Sequence, residues 1–348
     1  MSKLNVMMLG PARSVKGGMT TVVDGYYNGG LDRKVNLKYI ETVNDKKAIS
    51  KLFSILIGFI EYISCIREYD IVHIHMASRL STFRKAIYVR ISKHFGKKVI
   101  LHIHGAEYKI FYNEECNERK RKHIRKTLEL ADHIIVLSEE WKDFFKSLVD
   151  ENKIIVLYNA IKIPKDFEKK LNNKNILFLG RIGDRKGIFD LLDVISVLSK
   201  KYCDIKLYAG GDGEIARFKK YVKKKHIEQN VQYIGWASGK MKKKLLFESS
   251  YYVLPSYNEG MPMSVLEGMA YKNITISTCV GGIPKVINNN QNGIIVCPGD
   301  KKALYEALET LFNNPEMRKK LSSNARKTIE DNFNIANNIK EIINIYSN

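Results

Sequence analysis

Short apolar runs alternate with helix-length amphipathic stretches along most of the 348-residue chain. Strand-like runs are "LNVMML" at 4–9, "IVHIH" at 71–75, "VILHIH" at 99–104, "HIIVLS" at 133–138 and "KIIVLY" at 153–158. A second series follows: "NILFLG" at 175–180, "IKLYAG" at 205–210, "VQYIG" at 231–235, "YYVLPS" at 251–256, "ITIST" at 274–278 and "GIIVC" at 293–297. Runs this apolar, separated by helices, predict parallel strands covered on both faces. Near 160–174, "AIKIPKDFEKKLNNK" turns polar and carries Pro164, which predicts a linker between two α/β halves. Each half then reads as a doubly wound, Rossmann-type sheet, in which ligands bind beyond the carboxyl ends of the strands.

The length suits two domains of ordinary size, and a hydrophobic fraction of 45% is that of a globular chain. The opening "MSKLNVMMLG" lacks the charged start, long apolar centre and small-residue cleavage site of a signal peptide. The longest apolar stretch, Leu52–Ile66, is too short to span a bilayer and holds Glu61, so it reads as a buried or amphipathic helix. Five scattered cysteines without a C-x-x-C pair fit a reducing cytoplasm. The formal charge of +21 concentrates in "RKRKHIRK" at 119–126, "KKYVKKK" at 219–225 and "KMKKK" at 240–244. Such runs fit a solvated basic surface, an anionic membrane, nucleic acid or a phosphorylated substrate, and charge alone does not choose among them.

Candidate chemistry sits at the strand ends. His73, His75, His102 and His104 come from two His-Ile-His triplets. Four imidazoles on adjacent strands are enough ligands for zinc, but no nearby Cys, Asp or Glu completes a ligand spacing, so no metal is expected. His73 and His102 read as satisfied polar groups within strands, whereas His104 precedes Gly105 at a strand's end, where backbone can approach a ligand. "KGGMTTVVDGYY" at 16–27 places Gly17 and Gly18 before a helix, where backbone N–H groups can face an anion. "GRIGDRKG" at 180–187 puts Arg181 and Lys186 on one Gly-rich loop, able to neutralise a diphosphate leaving group. In "YNEGMPMSVLEGMA" at 257–270, Gly260 and Pro262 lead into a helix, with exposed N–H groups expected near Gly260, Met261 and Met263. Glu259 precedes that helix and Glu267 lies within it, so two carboxylates flank its start and can accept hydroxyl pairs.

These motifs resemble those of the retaining glycosyltransferases of family 4, which have the GT-B fold. The likeness covers nearly the whole chain, through "KGGMTTVV", "DIVHIH", "HIHG", "YNAI", "GRIGDRKG", "GGDGE", "YIGWASGK", "EGMPMSVLE" and "GGIP". Its specific element is the spacing from Glu259 to Glu267. The resemblance implies two Rossmann-like domains facing across a cleft: 1–163 for the acceptor, 164–327 for the nucleotide sugar, and a terminal helix over 328–348 returning to the first domain. It implies that Arg181 and Lys186 bind the donor diphosphate, and that Glu267 takes the ribose hydroxyls. Glu259 and the backbone of Gly260, Met261, Pro262 and Met263 would hold the donor sugar. Gly235 and Trp236 would line the base pocket, Gly18 would approach the phosphate, and His104 would face the transferred sugar. Lys285, after "GGIP", departs from the acidic residue frequent there and leaves donor choice open.

The implied reaction is retention, with the acceptor hydroxyl attacking from the leaving-group face and the departing phosphate taking its proton. No Asp-x-Asp occurs, so Arg181, Lys186 and the helix start are expected to supply the positive charge without a metal or other cofactor. The donor is expected to be a UDP-sugar, and the acceptor a saccharide on a lipid diphosphate in capsule or exopolysaccharide assembly. Phe83, Ile87, Ile91 and Phe95 recur at four-residue spacing beside Arg84, Lys85, Arg90 and Lys93. That pattern reads as an ordinary surface helix or as one lying on anionic lipid at the inner face of the cell membrane. Two rivals are a non-catalytic glycosyltransferase-like subunit, opposed by the intact Glu259, Glu267, Arg181 and Lys186, and a nucleic-acid-binding protein, opposed by dispersed charge and the lack of a recognised motif.

Overall fold

Alternation along the central strands decides how each half is layered. The computed structural model describes residues 3–44 and 48–348. The chain packs as two units, Met1–Lys162 with Asn334–Asn348, and Ile163–Phe333.

In the first unit six parallel strands, β1 (Asn5–Gly10), β2 (Asn36–Glu41), β3 (Ile71–Met76), β4 (Lys98–Ile103), β5 (His133–Val136) and β6 (Ile154–Val156), lie in the order β2-β1-β3-β4-β5-β6. The helices that flank them are α1 (Gly18–Asn28), α2 (Ala48–Cys65), α3 (Leu80–His94), α4 (Glu118–Glu129) and α5 (Glu139–Phe145). Side chains two apart share a face of the sheet. Met7, Leu9, Val72, Ile74, Met76, Val99, Leu101 and Ile103 therefore form one core with Tyr62, Tyr88, Ile124, Leu128, Trp141 and Phe145. His73, His75 and His102 project from the opposite face, where Tyr26 of α1 and Tyr346 of the C-terminal helix (Ile335–Ser347) meet them. That terminal helix is tied to this unit: Asn338 Nδ2 donates to the Tyr158 carbonyl at 2.7 Å, and Lys98 Nζ to that of Ile345 at 2.7 Å.

The 83–98 segment, open from sequence between an ordinary surface helix and one on lipid, packs largely on the core. Phe83, Ile91 and Phe95 of the 83–98 segment pack against the core, and Lys85 is buried with Nζ donating to Thr42 Oγ1 at 2.6 Å. The four-residue spacing there runs along the flank of α3's buried face, which Thr82, Lys85, Ala86, Val89 and Ser92 form, and Ile87 and Leu80 are exposed. The exposed apolar stripe belongs to α2, where Phe53, Leu56, Ile57, Ile60 and Ile63 face solvent while Tyr62 and Ile66 face the core. Residues 53, 56, 57, 60 and 63 fall on one side of a helix of 3.6 residues per turn, so this is one continuous stripe.

The second unit repeats the plan with β7 (Asn175–Leu179), β8 (Lys206–Gly210), β9 (Val231–Gly235), β10 (Tyr251–Leu254), β11 (Ile274–Thr278) and β12 (Ile294–Val296) in the order β12-β11-β10-β7-β8-β9, all parallel. Its helices are α6 (Ile188–Leu198), α7 (Ile215–Lys224), α8 (Gly239–Glu248), α9 (Met263–Ala270), α10 (Lys301–Asn313) and α11 (Pro315–Asn332). The carboxyl ends of β7, β8, β9 and β10 carry, in turn, "GRIGDRKG", "GGDGE", "GWASGK" and "NEGMP".

Candidate functional site

Two loops of the second unit are laced together by their backbones. After β7, the 180–187 loop meets the loop after β10: Tyr257 N–H donates to the Arg185 carbonyl at 2.9 Å, and Arg185 Nη1 to the Asn258 carbonyl at 3.0 Å. Gly187, at φ 67°, makes the approach possible, because a β-carbon there would collide with the Pro255 carbonyl. This lacing brings Lys186 Nζ onto Glu259 Oε1 in an ion pair. Ser256 Oγ donates to the same oxygen at 2.7 Å. The Glu259 side chain is 5% exposed and that of Lys186 14%, so the pair is held largely away from water. Arg181 is exposed and makes no hydrogen bond or ion pair among the described residues. The Lys186–Glu259 pair is preformed, and Arg181, on the same loop as Lys186, keeps a free guanidinium that leaves positive charge available to an anion.

Helix α9 starts as the sequence predicts, immediately after Pro262. Gly260, Met261, Pro262 and Met263 at its start are all buried residues. The "GGIP" turn helps to cover them, since Gly282 N–H donates to the Gly260 carbonyl at 2.5 Å. Gly281 stands at φ 55°, and a β-carbon there would strike the carbonyl oxygens of Glu259 and Gly260. Glu267, one turn into α9, pairs with Lys242 of α8 at 2.5 Å. Gly235, at φ 69°, ends β9 and accepts from Gly211 N–H at 2.9 Å, and Trp236 after it is half-buried.

In the first unit, Gly18 opens α1, is exposed, and has open space where a β-carbon would stand. The four histidines form a two-by-two grid. Across the strands, His73 Nε2 lies 3.2 Å from His102 Nδ1, and His75 Nδ1 lies 2.8 Å from His104 Nε2. Along the strands the rings stack, His73 on His75 at 4.6 Å and His102 with His104 at 4.1 Å between centroids. His73 Nδ1 meets Tyr346 Oη at 2.7 Å. Burial pushes His73 and His104 down to about 3, and holds His75 and His102 well below the usual imidazole range. The ring nitrogens of His73, His75 and His102 lie within 4.8 Å of one another. However, His73 and His75 are stacked with planes only 23° apart, so an ion in the plane of one ring is out of the plane of the other. The grid as it stands is a hydrogen-bonded array.

Of the residues singled out from sequence, the fold joins Lys186 with Glu259, sets Gly260–Met263 beside them, and leaves Arg181 unengaged. Gly18 and His104 belong to the first unit. Ser256, Lys242, His75 and Tyr346 were not anticipated as partners of these groups. Lys242 lay hidden in "KMKKK", where one lysine looks like the next; Tyr346 is 273 residues from His73. Among the described residues no helix is long and apolar enough to cross a membrane.

Two sheets of this order, with an anion-ready strand end, define the class of GT-B glycosyltransferase folds. HepE from Anabaena in complex with UDP has the same fold, with a TM-score of 0.77 over 99% of this chain and 100% of that one at 13% identity. Residues 159–328 match the family model "Glycosyl transferases group 1", and residues 32–163 match "Glycosyltransferase Family 4". The chain belongs to the glycosyltransferases that these two adjoining models describe. An uncharacterized glycosyltransferase of Haemophilus influenzae is 33% identical over 58% of this chain and 57% of its own length. A 41.2 kDa protein in the cps region of Klebsiella pneumoniae is 26% identical over 86% of this chain and 88% of its own. The match spans less than two thirds of the Haemophilus relative's length.

Proposed function

We propose that this chain is a retaining glycosyltransferase that moves a sugar from a nucleotide-diphosphate donor, a UDP-sugar, to a saccharide acceptor on a lipid diphosphate in surface-polysaccharide assembly. The observation that carries the reading is the Lys186–Glu259 pair that joins the loops after β7 and β10, with the unpaired Arg181 on the same loop as Lys186. Arg181 and Lys186 meet the diphosphate and stabilise the charge that grows on it as the glycosidic bond breaks. Glu259 and the backbone from Gly260 to Met263 hold the sugar, Glu267 takes the ribose hydroxyls, and Gly235 with Trp236 flanks the base. His104 faces the transferred sugar and Gly18 the phosphate. The acceptor hydroxyl attacks from the face the diphosphate leaves, and a phosphate oxygen takes its proton. No step calls for a metal.

A UDP-bound fold neighbour and a relative from a cps region support the donor class and the polysaccharide setting. The lipid contact is assigned to α2, whose stripe from Phe53 to Ile63 is exposed, in a chain with net charge +21 and with Lys46, Lys47 and Lys51 leading into the stripe in sequence. Its double substitution Ile57→Ser with Ile60→Ser lowers sedimentation with anionic vesicles; unchanged sedimentation removes α2 from the lipid contact. Transfer from UDP-sugars followed by NMR tests the reaction: the product keeps the donor's anomeric configuration, and EDTA leaves the rate unchanged. An inverted product, or a rate restored only by a divalent ion, overturns retention or metal independence.

A further inference from the structure

The contact between His75 and His104 is edge to edge. Ring centroids 5.0 Å apart with nitrogens 2.8 Å apart describe two rings meeting nitrogen to nitrogen, with planes 27° apart. A neutral imidazole carries one N–H and one acceptor nitrogen, so the direction of this bond fixes the tautomer of both rings. His75 Nε2 is buried without a partner, and so is His102 Nε2. An orphaned N–H is rarer in protein interiors than an orphaned acceptor. The proton of His75 therefore belongs on Nδ1, from which it is donated to His104 Nε2. The same rule places the His102 proton on Nδ1 facing His73 Nε2, and the His73 proton on Nδ1 facing Tyr346 Oη. All four rings then agree, and no buried ring N–H is left unmatched.

We propose that His75 is a positioning residue that holds His104 as its Nδ1–H tautomer, so that His104 offers the sugar a neutral hydrogen-bond donor. The proposal rests on the sugar-facing role given to His104 above. His104 Nδ1 has no hydrogen-bond partner among the described residues, and the residue is half-buried, unlike the other three. With Nε2 occupied as an acceptor, His104 does not act as a base through that nitrogen. Its contribution is a fixed N–H dipole aimed from a rigid strand end, which suits a hydroxyl or ring oxygen of the sugar.

The test combines imidazole NMR on the full chain labelled with 15N-histidine with kinetics of three variants. Wild-type His104 is expected to be protonated on Nδ1. His75→Asn keeps a donor near the Nδ1 position and retains that tautomer; His75→Gln and His75→Phe release it. Turnover falls about ten- to a hundredfold in His75→Phe while donor KM stays within about threefold, and His75→Asn recovers most of the loss. Protonation of wild-type His104 on Nε2, or an unchanged His104 tautomer in His75→Phe, overturns the proposal, and the wild-type spectrum decides even if a variant fails to fold. Stoichiometric Zn2+ binding that disappears in His73→Leu also overturns it, since ligation would claim these nitrogens. Normal turnover in His104→Phe, with the tautomer responding as expected, removes the sugar-facing role alone.

Discussion

Lys186 and Glu259 lie 73 positions apart in sequence and meet as an ion pair in which the carboxylate is nearly sealed from water. Ser256 is the second donor to the same oxygen. Breaking such a pair from one side strands a buried charge, at a cost of about 3–5 kcal/mol. Lys186→Ala is therefore expected to lower stability more than Lys186→Ala combined with Glu259→Gln, as read by urea unfolding. Each single alanine variant is also expected to lose at least about 3 kcal/mol of transition-state stabilisation, seen in kcat/KM for donor. Near-normal turnover in either variant takes that residue out of the site.

Gly281 and Gly18 make opposite predictions. Gly281→Ala forces a left-handed backbone onto an L side chain and drives a β-carbon into the Glu259 carbonyl, so stability falls by at least about 1–2 kcal/mol and turnover with it. Gly18 has open space, so Gly18→Ala leaves the melting temperature nearly unchanged and lowers activity only by crowding the phosphate. Thermal melts beside rate measurements separate the two cases.

The buried imidazoles predict the pH dependence of stability. Folded His73 titrates near 3, and His75 and His102 stay well below their ordinary range, because desolvation disfavours the charged ring. The unfolded chain binds those protons near pH 6.5, so it holds more protons than the folded chain below that point. Stability is complete above about pH 6.5 and declines as pH falls toward 3, by up to about 1.4 kcal/mol per pH unit for each of the three rings. Urea unfolding between pH 7 and pH 4.5 measures the slope, and His73→Leu flattens it by about one ring's share.

Lys85 follows the same charge logic on the other face of the same sheet. Its amine is buried with Thr42 Oγ1 at 2.6 Å, and burial holds its pKa well below the usual lysine range. The unfolded chain is protonated there up to about pH 10.4, so the lowered pKa of the folded amine costs stability below that value, and the penalty fades as pH rises toward it. Lys85→Met is expected to raise stability at pH 7 by roughly 1–3 kcal/mol, and by less at pH 10. A destabilised variant at pH 7 assigns the amine a favourable role instead.

Eleven of the twelve strands among the described residues were legible because buried parallel strands are apolar on both faces, and the second unit's "VQYIG" and "ITIST" match residue for residue. The missed strand, β2, is an edge strand whose "NLKYIE" mixes polar and apolar positions because one side faces solvent. Arg181 with Lys186, and Glu259 with Glu267, were legible as candidates because each pair falls within one short motif, whereas the meeting of Lys186 with Glu259 was not. Tyr346 and Lys242 were not, since their partners come from distant segments that only packing brings near. The stripe of Phe83, Ile87, Ile91 and Phe95 left two readings open for a physical reason: periodicity identifies one apolar face of a helix and does not say whether lipid or core covers it. His75 stands near the end of its strand as His104 does, and the contact between their rings depends on packing that the sequence does not show.

The donor assignment is tested most directly by nucleotide-sugar binding to the purified chain, followed by calorimetry and thermal shift, with wild type, Arg181→Ala and Glu267→Ala side by side. At a hundred times Kd a UDP-sugar stabilises the wild type by about 2.7 kcal/mol, and the same concentration stabilises both variants markedly less. No response to any nucleotide sugar, or an equal response in all three proteins, contradicts the placement of the donor on the second unit's cationic loop and acid-flanked helix.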